Sequence, residues 1–355
     1  MSALIPVRPD GQAIFSLAAA FVAGLAAHLG GLPLAWVIGP LAASAIWAII
    51  GFSVYAPVAG RRAGQLVIGT AIGLKITLAI IATAMWWLPV MLLAAFLAVV
   101  LAAIASIPMA AAARTDRKTA FFAMVPGGLS EMANIGASVG AASEPIALAQ
   151  ALRVALVVLL MPPLVFAFGI DGGIAAGNAA LPLSLVQTLI LLAVAPGGVA
   201  VVSRLGISNS WMLGAILAGA VLSISGLAEG SMPRLIFYAG QFALGVAIGA
   251  RFTRESVKRL PRVIIFASLL IMLMAGTLLG FSYAVAALTG FELGTLALAT
   301  APGGMAEMAV TAQALHLNVA LITTFHVVRA IVINGFSLHY WALYQRLIGE
   351  GARPG

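Results

Sequence analysis

The sequence predicts an all-α polytopic membrane protein made of two repeats inserted in opposite orientations, each with about five transmembrane helices and one interrupted, re-entrant segment. Three observations lead there. Of 355 residues, 63% are apolar and only 8% are charged, with a mean hydropathy of +1.14. The chain repeats itself at a spacing of 175 to 176 residues. Most of its basic residues fall on one side only if the two halves are inverted.

Composition sets the class, because soluble chains carry about 25% charged residues and a bilayer solvates apolar helices that water does not. Cysteine is absent, so disulfides and thiolate metal sites are excluded and the redox compartment leaves no trace. The formal charge of +8 raises nucleic acid as a partner, but the placement of the charges matters more than their sum. The first apolar stretch, Ile14 to Leu29 behind Arg8, has the look of a signal peptide; its counterpart in the second half argues against cleavage.

The repeat is visible in four places. Trp36-Val-Ile-Gly39 returns as Trp211-Met-Leu-Gly214, a spacing of 175. Gly64-Gln-Leu-Val-Ile-Gly-Thr-Ala-Ile-Gly-Leu-Lys-Ile-Thr77 returns as Gly240-Gln-Phe-Ala-Leu-Gly-Val-Ala-Ile-Gly-Ala-Arg-Phe-Thr253, identical at seven of 14 positions at a spacing of 176. Pro126-Gly-Gly-Leu-Ser-Glu-Met-Ala133 returns as Pro302-Gly-Gly-Met-Ala-Glu-Met-Ala309, and Arg153 returns as Arg329, again at 176. The repeats are accordingly residues 1–175 and 176–355, integrated in one membrane domain.

Apolar segments are expected near 12–29, 34–51, 63–82, 88–112, 120–141 and 146–169, then near 181–203, 210–228, 234–252, 262–289, 293–314 and 318–344. Six spans per half give parallel repeats and five give inverted ones. If 120–141 and 293–314 enter and leave on one side, 14 of the 18 basic residues face the cytoplasm with the N-terminus. Lys75 and Arg234 stay outside beside Asp171, Glu229 and Glu292. With six spans per half, the basic run Arg251 to Arg262 faces outward, against the positive-inside rule. Inversion is therefore preferred, and the positive charge reads as topology rather than as a nucleic-acid surface.

Each Pro-Gly-Gly supplies an interruption, since proline lacks a backbone donor and glycine reaches angles that other residues avoid. Such backbone is tolerated at membrane depth only where protein or a wet cavity surrounds it; a simple kink at Pro126 and Pro302 is the plainer alternative. Glu131 and Glu307 follow five residues after the prolines, and Arg153 and Arg329 lie inside the next apolar segments. A charge at the bilayer centre costs about 3 kcal/mol or more, so each needs a partner or a task. One reading gives Arg153 and Arg329 an anionic solute, with Gly127, Gly128, Gly303, Gly304, Ser130 and Asn134 completing the site and Glu131 and Glu307 taking a proton or cation. The other pairs Glu131 with Arg153 and Glu307 with Arg329, or sets each glutamate against the positive end of its own half-helix. Both remain open at this level.

Gln65 and Gln241 open stripes with Gly69, Gly73, Gly245 and Gly249, a small-xxx-small pattern that points to close helix packing. Gln150, Gln313 and His326 flank the charged residues, His28, His316 and His339 are scattered, and Trp36 and Trp211 read as interfacial or packing residues.

These tandem Pro-Gly-Gly-x-x-Glu-Met-Ala, Trp-x-x-Gly and Gly-Gln-x-x-x-Gly-x-x-x-Gly segments, over nearly the whole chain, resemble the AbrB-type membrane protein family with its AbrB duplication, which is distinct from the small DNA-binding AbrB regulators. The resemblance implies membrane location and duplication. It also brings two labels, regulation of gene expression and ammonia monooxygenase. The second fits poorly, because copper chemistry needs imidazole ligands and the four histidines form no ligand pattern.

The expectation is a non-enzymatic, ion-coupled secondary transporter of a small anionic solute in the bacterial inner membrane, without cofactor or metal. Its partners are the bilayer, the solute and a proton or sodium ion, with no nucleic acid and with a homodimer left open. The alternative is a membrane-bound regulator or sensor acting through a partner, although no soluble output domain is visible between residues 12 and 344.

Overall fold

The computed structural model describes residues 11–167, 181–207, 209–228 and 230–348; Arg8, Asp171 and Glu229, named above, lie outside them, as does Arg353, one of the 14 basic residues expected on the cytoplasmic side. Every extended element among the described residues is an α-helix, and 15 are present. In the first half these are α1 (Gly11–Leu29), α2 (Ala35–Ile50), α3 (Val58–Gly73), α4 (Leu78–Ala113), α5 (Arg117–Met124), α6 (Leu129–Ser138) and α7 (Ser143–Ala167). In the second they are α8 (Leu185–Arg204), α9 (Ser210–Ile224), α10 (Arg234–Gly249), α11 (Arg254–Arg259), α12 (Pro261–Thr289), α13 (Leu293–Thr300), α14 (Met305–Ala314) and α15 (Val319–Leu347).

Six of them, α1, α4, α7, α8, α12 and α15, are long and apolar enough to cross a bilayer, and large apolar side chains such as Trp86, Leu235 and Leu288 are more than four-fifths exposed on helix surfaces. The chain is an integral membrane protein. Four segments expected as full spans come out shorter: α2, α3 and α10 have 16 residues and α9 has 15. Their ends are fixed locally. Leu34 and Asn209 precede α2 and α9 in the left-handed conformation, with φ of 55° and 59°, while Pro57 and Pro233 stand at the N-caps of α3 and α10. The segment expected at 63–82 divides at Leu74–Thr77, with α3 ending at Gly73 and α4 starting at Leu78.

The contacts divide the chain into two compact units, each drawing helices from both halves. The first holds α1–α3 and α8–α11. Its helices meet through glycines. A Cβ on Gly245 would lie 2.5 Å from the Val37 carbonyl oxygen, and one on Gly69 would lie 2.8 Å from that of Met212. Thus α10 packs on α2 and α3 packs on α9, the glycine stripe of each half lying on the Trp-x-x-Gly helix of the other. Gly39 and Gly214, of those Trp-x-x-Gly segments, press on the backbones of Ala23 in α1 and Val199 in α8. This is the small-residue packing that substitutes for a hydrophobic driving force between helices in lipid. The Gln65 amide donates to Asn209 Oδ1 at 2.9 Å within the same contact.

The second unit holds α4–α6, α7 up to Val157, α12, α13, α14 up to Met308, and α15 from Leu321. Phe121 and Phe122 of α5 are fully buried against Trp341, and Phe121 stacks on Tyr344 at 5.2 Å. Ser282 of α12 joins Thr300 of α13 at 2.6 Å.

Candidate functional site: two interrupted helix pairs

The two Pro-Gly-Gly segments are breaks rather than kinks. Helix α5 ends at Met124 and α6 starts at Leu129; α13 ends at Thr300 and α14 starts at Met305. The first pair doubles back on itself, because its two ends are joined: Thr119 Oγ1, near the start of α5, accepts from the Ala142 N–H at 2.9 Å, and Lys118 Nζ donates to the Val139 carbonyl at 3.4 Å. The α5–α6 pair is therefore a helical hairpin with Pro126-Gly127-Gly128 at its tip.

The same devices build both pairs, 176 residues apart. Asp116 caps α5, accepting from Thr119 N at 2.8 Å and Thr119 Oγ1 at 2.6 Å; Glu292 stands at the equivalent N-cap position of α13, where its carboxylate accepts from the Thr295 hydroxyl at 2.5 Å. At the other end of α5, Gln150 Nε2 of α7 donates to the carbonyls of Phe122 and Val125 at 2.9 and 2.8 Å. His326 of α15 stands at the equivalent position with its Nε2 3.0 Å from the Leu298 carbonyl.

The arginines hold the breaks. Arg153 donates from Nη1 to the Val125 carbonyl at 3.3 Å and from Nη2 to the Gly127 carbonyl at 2.8 Å. Arg329 repeats this on Ala301 at 2.5 Å and Gly303 at 2.6 Å. Both are buried, 2% and 8% exposed. Each guanidinium thus lies on carbonyls at the negative end of the first half-helix, where a cation is favoured. Of the pairings open at the sequence level, the Arg153–Glu131 contact is not formed; the Arg153 fork lies on carbonyls instead.

The glutamates go to the opposite ends. Glu131 and Glu307 sit in the first turns of α6 and α14, and each carboxylate folds back over the glycine that precedes its helix. A Cβ on Gly128 would collide with Glu131 Oε2, and one on Gly304 with Glu307 Oε2. A Cβ on Gly127 would lie 2.6 Å from Met132 Sδ, and one on Gly303 would lie 3.0 Å from Met308 Cγ. The Pro-Gly-Gly-x-x-Glu-Met-Ala motif has a direct physical reading. The first glycine makes room for the buried methionine, and the second makes room for the carboxylate that offsets the positive helix end.

Around these tips, Ser130 is half-buried, Asn134 is exposed on α6, Glu131 is half-buried and Glu307 is buried. Arg153 lies within electrostatic range of Arg329 and Glu307, so both breaks contribute to one charged cluster inside the second unit. The scattered histidines stay apart from it: His28 packs against Trp36 and Tyr238, and His339 against Phe336. Sequence reasoning passed over the Asp116–Thr119 and Glu292–Thr295 pairs, which the spacing of 176 marks, and Asn334. The Oδ1 of Asn334 accepts from the Gly128 N–H at 3.1 Å, and no repeat signals it, because Val158 stands at the equivalent position.

A family model described as Transition state regulatory protein AbrB matches residues 36–339, which include both interrupted pairs. The chain belongs to the AbrB family. Among AbrB-like relatives, it is similar to "Uncharacterized protein YhjN" of Bacillus subtilis (strain 168), 28% identical over 95% of this chain and 94% of the relative. It is also similar to "Putative regulator AbrB" of Escherichia coli (strain K12), 28% identical over 88% of this chain and 90% of the relative.

Proposed function

We propose that this AbrB-family chain is an ion-coupled secondary transporter of a small anionic solute. The observation that carries the reading is the pair of interrupted helices, alike at a spacing of 176, whose half-helix ends lie in one unit with two arginines and two glutamates. Carriers place solute and coupling ion where broken helices expose backbone groups within the membrane. In this reading the halves are inverted, the Pro-Gly-Gly hairpins are re-entrant, and the N-terminus faces the cytoplasm across the bacterial inner membrane.

The solute's anionic group is recognised at the half-helix N-termini, by the backbone of Gly128 and Gly304 with Ser130 and Asn134 adding polar contacts. The backbone of Gly127 and Gly303 shapes the tips. Arg153 and Arg329 keep the site positive while their terminal nitrogens hold the tips, and the buried Arg153 Nε, which has no acceptor among the described residues, remains to serve a ligand. Glu131 and Glu307 occupy the same helix ends that attract the solute, so a proton or sodium ion on them relieves the competition. That is a physical basis for coupling. Reconstituted protein should move small organic anions down an imposed proton or sodium gradient, and flux that ignores both gradients would contradict coupling.

A second reading, a membrane regulator or sensor that affects gene expression through a partner, is favoured by the name of the Escherichia coli relative. It shares the ligand site and differs in that no solute crosses. Tight binding without counterflow under any gradient would select it.

A further inference from the structure

The two breaks share arginine, glutamate and double glycine, yet one contact breaks the symmetry. The Gly128 N–H, the first free donor of half-helix α6, is taken by Asn334 Oδ1 of α15 at 3.1 Å. The position equivalent to Asn334 in the other half is Val158, a fully buried apolar side chain with no acceptor atom. An amide oxygen and a solute carboxylate oxygen are alike as acceptors, and the N–H has room for one of them.

We propose that Asn334 is a positioning residue that makes the two tips unequal: it holds the α6 N-terminal donor in the solute-free protein and is displaced by the solute's anionic group. The inference rests on the transporter reading for its second half and on the hydrogen bond alone for its first. Asn334 sits mid-helix in α15, five residues beyond Arg329. The arginine that braces the second tip and the amide that caps the first therefore belong to neighbouring turns of one helix. A solute that displaces the amide acts on α15, and so on the brace of the other break. This links occupancy of one tip to the geometry of the other.

Two substitutions separate this role from simple packing. Asn334→Val reproduces the other half and frees the Gly128 donor, whereas Asn334→Asp, nearly isosteric with asparagine, places a fixed carboxylate on it. Amide hydrogen exchange of the full chain in lipid nanodiscs reads the first half. In Asn334→Val the segment 127–131 should exchange about threefold to tenfold faster, the loss of one ordinary hydrogen bond, with 303–307 less affected; unchanged exchange at 127–131 overturns the cap.

Thermal-shift titration with succinate, and with neutral succinamide as control, reads the second half. Asn334→Val should strengthen succinate stabilisation and Asn334→Asp should abolish it, in opposite directions from wild type. Both variants weakening succinate equally would mean that Asn334 only packs. If succinate stabilises none of the three proteins while the exchange result holds, the cap stands and the displacement by an organic dianion is refuted, independently of any flux measurement.

Discussion

Replacing Arg153 by methionine tests the brace at the first break. The guanidinium donates to two carbonyls, but these do not lose equally. The Val125 carbonyl keeps Gln150 Nε2 at 2.8 Å, whereas the Gly127 carbonyl gives up its 2.8 Å donor. A hydrogen bond to a charged group contributes about 1.5–3 kcal/mol, so Arg153→Met should destabilise by about 2–3 kcal/mol. Arg329→Met removes bonds of 2.5 and 2.6 Å to Ala301 and Gly303. There the flanking His326 is placed on Leu298 and gives no second donor to Ala301, so the loss is about 3–6 kcal/mol. The ordering, Arg329→Met worse than Arg153→Met, follows from geometry alone. Adding Glu131→Gln to Arg153→Met should leave the loss additive within about 1 kcal/mol, since the fork of Arg153 lies on carbonyls. Equilibrium unfolding in mixed detergent micelles, followed by the fluorescence of six tryptophans, gives the values for these three variants and for Glu131→Gln alone. Rescue of Arg153→Met by Glu131→Gln, or an Arg329 variant no weaker than the Arg153 one, would refute the brace and restore a charge-pair account.

Other expectations follow from the same contacts. Gly73→Ala sets a Cβ against the backbones of Ile216, Gly219 and Ala220, atoms that cannot rotate away, and should cost at least about 2 kcal/mol. Gly276→Ala meets open space and should gain up to about 1 kcal/mol from helix propensity, both by the same unfolding assay. A cysteine at Ser130 should react with a small, membrane-impermeant thiol reagent, because the half-buried α6 start needs a wet cavity; inertness in every condition would remove the cavity. Cysteines at Arg117 and Lys258 should both label from the cytoplasmic side only, and labelling of Lys258 from outside would end the inverted arrangement.

Much of the architecture was legible because membrane helices leave coarse marks. Hydropathy marked all six long spans, and the spacing of 176 located both breaks to within a few residues. The glycine stripes announced close packing, which Gly69 and Gly245 realise on the opposite half's helices. Other features were hidden for physical reasons. Hydropathy has no sense of where left-handed residues such as Gly51 and Gly226 close a helix, so α2 and α9 were drawn too long. The short helix α11 lies in a charged loop and gives no apolar period; Thr253 Oγ1, accepting from Ser256 N at 3.2 Å, starts it. At the site, sequence named the arginines and glutamates but not their partners. Those partners are backbone carbonyls and an N-cap glycine, and backbone groups carry no residue identity. Asn334 stood outside the repeat and had no counterpart to reveal it.

The central claim is movement of an anion by the site at the two breaks. Purified protein in liposomes, loaded with labelled succinate and other small organic anions in turn, should show counterflow that responds to a proton or sodium gradient. A variant with the Arg153 and Arg329 charges removed, assayed under conditions where it remains folded, should lose the flux. Binding of such an anion with no counterflow at any gradient would contradict the transporter account and leave a ligand-sensing regulator in its place.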